Sequence, residues 1–203
     1  MSGHMKLKMV MLGVILLSAL IISSLFLVYP PYPRLASFPS WNNAVSCTAL
    51  LITIEGIIGD QTNSNGGATY AGGFQPGIPD KRSSSPPCAV NGNATFVEIH
   101  KVKMAPFVIE DCIQNQNATF CDSTANILDP NCTNSDTYLC RIHVEIDRAW
   151  NATGIAPQTP PSTTQLFDVQ GFVYWDSEHV NDTWHSYSGW EIHPLTAWRI
   201  SSG

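Results

Sequence analysis

Charge is scarce in this chain: 13% of its 203 residues are Asp, Glu, Lys or Arg, about half the share of an ordinary soluble domain. From Met9 to Pro33 there is none at all. The basic sign is the scarcer, ten Lys and Arg against 16 Asp and Glu, which argues against a nucleic-acid partner, since backbone binding needs clustered cations. No stretch after Tyr29 keeps a 3.6-residue period and no internal repeat is present, so coiled coils and helical arrays are excluded. There is no Cys-x-x-Cys pair for a zinc-thiolate site, no G-x-S-x-G elbow, no Walker loop, no dinucleotide fingerprint and no H-E-x-x-H. Nucleophilic Ser or Cys catalysis has no support.

The uncharged stretch contains a 21-residue apolar run, Met9 to Tyr29, and about 20 such residues span a bilayer as a helix. Lys6 and Lys8 precede it, so the positive-inside rule leaves the N-terminus in the cytoplasm and the rest outside. Residues 1–8 are then cytoplasmic, 9–29 a transmembrane signal anchor at the cell membrane, and 30–46 a stiff Pro-rich linker. The alternative is a cleaved signal and a secreted protein. It is disfavoured by the run's length and by the lack of an A-x-A site before Arg34. Beyond the anchor stand eight Lys and Arg against all 16 acids, a surface that avoids anionic lipid.

All six cysteines, Cys47, Cys88, Cys112, Cys121, Cys132 and Cys140, lie past the apolar run. An even number in an exported domain reads as three disulfides. Spacing favours Cys112–Cys121 and Cys132–Cys140, leaving Cys47–Cys88. Asn-x-Ser/Thr stands at Asn93, Asn117, Asn131, Asn151 and Asn181; used as glycosylation sites, these positions are surface loops.

Five β-branched or alternating stretches predict strands: Cys47–Ile58, Thr95–Met104, Leu139–Trp150, Gln165–Trp175 and Gly189–Ile200. Two insertions separate them, 59–94 and 110–138, the second an Asn-rich, cysteine-stapled stretch with little expected secondary structure. A mainly β domain over 47–203 follows. Five strands with long loops predict a small, closed OB-like barrel with disulfide-stapled loops, preceded by the membrane helix. A β-sandwich is the alternative.

The last third resembles an uncharacterised family of small OB-like β-barrel domains. The resemblance rests on Val169-Gln170-Gly171-Phe172-Val173-Tyr174-Trp175-Asp176, then His179. It continues in His185 and Gly189-Trp190-Glu191-Ile192-His193-Pro194-Leu195, close to a final strand of the form G-W-x-E-I-H-P. Arg141-Ile142-His143-Val144-Glu145-Ile146 is similar to the family's third strand. The spacer between Trp190 and Glu191 is missing here. The resemblance implies the fold and brings no activity.

Residues two apart on a strand share a face. His143 and Glu145 are therefore neighbours, with Asp147 following, and so are Glu191 and His193. If their strands meet, two His and two carboxylates converge. These four are the candidate ligand-binding residues. They are also the candidate ligands of zinc or another divalent metal, or an acid–base set. The competing expectation is a polar sheet face held by His–Glu hydrogen bonds. Trp190, Ile192, Trp198 and Ile200 are expected inside the barrel, which puts Glu191 and His193 on an accessible outer face, with an edge or bulge at Pro194. His179 and His185, around Asp176, Glu178, Asp182 and Trp184, form a possible rim site, and Glu98 with His100 is a further period-2 pair. Two functions follow: a membrane-tethered extracytoplasmic domain that binds a ligand, a cell-surface partner or a membrane complex without a cofactor, or a metal-dependent hydrolase using the His/Glu set.

Overall fold

Alternating β-branched and aromatic residues in the second half of the chain form long strands, and those over Arg141–Ile146, Phe167–Trp175 and Trp190–Ile200 are buried on both faces for most of their length. The computed structural model describes residues 36–59, 86–90, 92–133 and 137–202. The membrane segment expected over 9–29 and most of the 59–94 insertion lie outside the described residues. No helix among the described residues is long and apolar enough to cross a membrane.

The chain is mainly β. Strand β1 (Ser37–Pro39) runs antiparallel to β2 (Thr48–Leu51). Helix α1 (Ile54–Ile58) follows, then the short ribbon β3 (Ala89–Val90) and β4 (Asn93–Ala94). The long strands are β5 (Phe96–Met104), β6 (Val108–Asn115), β7 (Ala118–Leu128), β8 (Arg141–Ile146), β9 (Phe167–Trp175) and β10 (Trp190–Ile200), with helix α2 (Arg148–Thr153) after β8. Eight strands pair in the order β1-β2-β5-β9-β10-β8-β7-β6. A further antiparallel contact, Lys103 with Leu128 and Met104 with Ile127, joins β5 to β7. The pairings of β5, β9, β10, β8 and β7 thereby return to their start.

Two expected elements are corrected. The apolar run 47–58 is not one strand: it ends as a strand at Leu51 and turns helical at Ile54. Thr53 caps the helix, its Oγ1 accepting the Gly56 N–H at 3.0 Å. Ile54, Ile57 and Ile58 share the buried helical face, so their i, i+3, i+4 spacing outweighs β-branching. The stretch 110–138, expected to be irregular, holds most of a β6–β7 hairpin, and β7 rather than β2 completes the circuit. The Pro-rich lead-in also contributes: β1 pairs with β2, and Gln170 Oε1 accepts the Trp41 N–H at 2.9 Å.

The principal core gathers Val97 and Ile99 of β5, Ile127 of β7, Ile142, Val144 and Ile146 of β8, Val169 and Val173 of β9, and Trp190, Ile192 and Leu195 of β10, capped by α1. Each such side chain contributes roughly 1.5–3 kcal/mol on full burial. A smaller cluster unites Phe96, Phe172 and Trp150 of α2 with Val45, Cys47 and Ala49. Cystines join Cys47 to Cys88, Cys112 to Cys121 and Cys132 to Cys140, as spacing predicts. The first ties β2 to the β3–β4 ribbon, and the second crosses the hairpin.

Strand β10 has neighbours on both sides, so Pro194 is not on an edge. It follows a cis peptide bond at a bulge, where the β9 register shifts between Ile192 and Leu195. The shift returns Leu195 to the core and leaves Ile200 exposed, contrary to the expected alternation.

Candidate functional site

The parallel seam between β8 and β10 sets Glu191 directly opposite His143. Period-2 alternation adds Glu145 on β8 and His193 on β10, and Asp147 stands where β8 passes into α2. The four sequence-predicted residues therefore converge. They are not on an accessible outer face: Glu191 is fully buried, His193 and His143 are 2% exposed and Glu145 is 8% exposed. The loop 176–189 accompanies them. It closes on itself where the Asp176 N–H donates to the Gly189 carbonyl at 2.7 Å. Asn126 Nδ2 on β7 and Arg141 on β8 hold its outer arm through the carbonyls of Trp184 (2.9 Å) and Thr183 (2.8 Å).

His193 is the hub. Its Nε2 meets Asp147 Oδ2 at 2.9 Å, and its Nδ1 meets Glu145 Oε2 at 3.0 Å and Glu191 Oε1 at 3.1 Å. Burial disfavours its charge, but Glu191, Glu145 and the Asp147 hydrogen bond outweigh that and hold its pKa well above the ordinary value. It is an imidazolium clamped between carboxylates. Glu191 is likewise penalised by burial, yet His193 and His185 hold it far below the ordinary carboxylate range. Asp147 feels burial first. The His193 contact and the α2 N-cap bonds from Ala149 N–H (2.6 Å) and Trp150 N–H (3.1 Å) nevertheless keep it below its usual value.

His185 belongs to this cluster rather than to a rim. It is fully buried, Nε2 lies 3.1 Å from Glu191 Oε2, and Nδ1 bonds the Ser188 carbonyl. The sequence marks it as a loop residue of a rim site with His179, and no strand spacing announces that it joins the seam. Its segment ends in Ser186 and Tyr187, both left-handed at φ 62° and 50°, a conformation that costs non-glycine residues energy and recurs at functional sites. His143 is the anomaly. Both of its ring nitrogens are buried without a hydrogen bond; Glu145 Oε1 is 3.3 Å from Nε2 but out of bonding geometry. A buried polar group left so costs about 1–3 kcal/mol.

Beside the cluster opens a cavity of about 400 Å³, within the usual range for ligand pockets. Glu145, Asp147 and His193 reach it from the cluster, and Asp122 of β7 and Asp176 complete its buried floor. Glu110, Asp111 and Glu178 stand exposed around it, with Tyr174 and Trp184 on the walls. Arg148 is the guanidinium among the lining side chains. It serves Asp122, its N–H donating at 2.5 Å and its guanidinium lying 3.3 Å away. Burial and the nearby Glu145 and Asp147 still push Asp122 up to about 6, against the Arg148 bond. Asp122 escapes a sequence reading because its hairpin looks like a polar insertion.

The other expected sets stand apart. His179 pairs with Asp182 at 2.8 Å beside the cavity. Glu98 on β5 is fully buried, bonded to half-buried His100 and to buried Gln170 of β9, away from the β8–β10 seam. No protein-family model matches the chain, and no curated protein or solved structure shows significant similarity to it.

Proposed function

We propose that this chain is an extracytoplasmic binding domain, tethered to the cell membrane through residues 9–29, that recognises a cationic ligand in the acidic cavity. The observation that carries the reading is the imbalance there: seven carboxylates line one cavity, and Arg148 is already engaged by Asp122. An ammonium or guanidinium group of a partner protein supplies the missing charge, and Trp184 and Tyr174 offer faces to such a cation. Three cystines support an oxidising compartment outside the cytoplasm. The strand circuit, antiparallel at four seams and parallel at β8–β10, supports an OB-like barrel as its frame.

The test is binding of a short oligolysine peptide to the full chain in detergent. Glu178→Gln at the cavity should weaken it about threefold to tenfold, the scale of one partly screened charge pair. Glu55→Gln, an equal charge change on the exposed face of α1, should leave it unaltered. Equal effects of the two substitutions overturn the reading.

Hydrolysis at the same cavity is a second reading, favoured by one observation. Asp122 and Asp147 share the floor, yet one carboxyl is pushed up to about 6 and the other is held low. Opposite shifts of this kind are how an acid and a base are assigned to two carboxyl groups. The reading requires turnover of a model ester or phosphodiester that is lost in both Asp122→Asn and Asp147→Asn.

A further inference from the structure

We propose that His143, His185 and Glu191 ligate one borderline divalent cation of the zinc class, under the 176–189 loop and behind the acidic cavity. One donor atom from each lies within 4.8 Å of the others, and all three side chains are buried. His185 Nε2 and Glu191 Oε2 are 3.1 Å apart. Two ligands of a tetrahedral zinc, each about 2.0–2.2 Å from the metal, stand about 3.3–3.6 Å from one another, so this pair needs to open by only a few tenths of an ångström.

The surrounding bonds point the same way. His185 spends Nδ1 on the Ser188 carbonyl, the second-shell contact that turns the other ring nitrogen toward a metal. Glu191 spends Oε1 on His193 and keeps Oε2 for the seam. His143, opposite Glu191 in the strand register, has two buried ring nitrogens and no hydrogen bond. An imidazole in that position is explained by an ion it is meant to hold. Two imidazoles and one carboxylate suit zinc and its neighbours, whereas calcium and magnesium prefer oxygen alone. His193 is excluded as a ligand because carboxylates occupy both of its nitrogens. The site therefore differs from the sequence-predicted set by taking His185 and leaving Glu145 and His193 to orient the ligands.

The test is Co²⁺ titration of the full chain after chelator treatment, read by visible absorption, with Zn²⁺ in competition. The expected result is one equivalent per chain, displaced by Zn²⁺ and weakened about 100-fold or more in His143→Ala. His143 is buried against the Trp184 and His185 rings, so His143→Ala leaves a cavity and should lower the unfolding temperature of the metal-free protein; His143→Gln, closer in volume, is the variant that should keep the fold while losing uptake. Failure of the parent to take up about one equivalent, or unchanged uptake in both variants, overturns the proposal. Loss of uptake in Asp122→Asn with His143→Ala unaffected places the ion in the cavity instead and also overturns it. Oligolysine binding is read on the same samples, so a failed metal site and a failed cationic recognition site give different results.

Discussion

Asp147 uses one carboxylate for two tasks, capping α2 with Oδ1 and accepting His193 Nε2 with Oδ2. Removing it by Asp147→Ala should cost about 1 kcal/mol for the cap and about 1–3 kcal/mol more for the orphaned imidazolium donor. Chemical denaturation checks this, and a total below about 1 kcal/mol would mean that water replaces the carboxylate at both places. Asp122 gives a pH signature of the opposite sense. Its folded pKa of about 6 lies above the ordinary 3.8, so the folded state binds the extra proton between roughly pH 4 and 6. Its contribution is therefore fully present below pH 4 and lost as pH rises through 6. Asp122→Asn should flatten that limb, measured as the difference in unfolding free energy between parent and variant across the window. At this scale much of the cluster is legible in the sequence. His143, Glu145, Asp147, Glu191 and His193 announce themselves by period-2 spacing on two strands. His185 and Asp122 do not, since a loop closing over a seam and the partner of a hairpin follow from tertiary pairing alone.

Among the elements, β9 and β10 depend on a close approach at Gly171. A Cβ there would stand 2.2 Å from Ile192 Cγ2 and 2.7 Å from the Pro194 carbonyl oxygen. The bulged backbone has no room to yield, so Gly171→Ala should cost about 3 kcal/mol or more, at the upper end of overpacking penalties. Thermal unfolding that moved little would show that the bulge is soft. The same bulge explains the error in reading β10: a strict two-residue alternation through Pro194 sends Ile200 inward, and the register shift returns Leu195 to the core instead. The 47–58 run failed for a different reason. β-Branching and helical spacing conflicted within it, and burial of Ile54, Ile57 and Ile58 under the strands decided the matter. The hairpin of β6 and β7 was hidden by polar residues, which a ribbon half exposed to solvent tolerates.

For the molecule as a whole, the cystines divide the work unequally. The Cys47–Cys88 bond closes 41 residues of chain and Cys112–Cys121 only nine. Paired Ser substitutions should cost about 4 kcal/mol for the first and about 2.5 kcal/mol for the second on loop entropy, with unfolding in urea as the measurement. Sequon use should be uneven too. Asn93, Asn117, Asn131 and Asn181 are exposed, whereas Asn151 lies half-buried in α2 with Nδ2 donating to the Cys121 carbonyl at 2.6 Å. Site-resolved glycan mapping of native protein should find Asn151 the least occupied. The central claim concerns the charge of the cavity, and the most direct measurement is oligolysine affinity across a salt series for the parent, Glu178→Gln and Glu55→Gln. The account predicts that Glu178→Gln alone weakens binding and flattens the salt dependence; identical curves for all three proteins would contradict it.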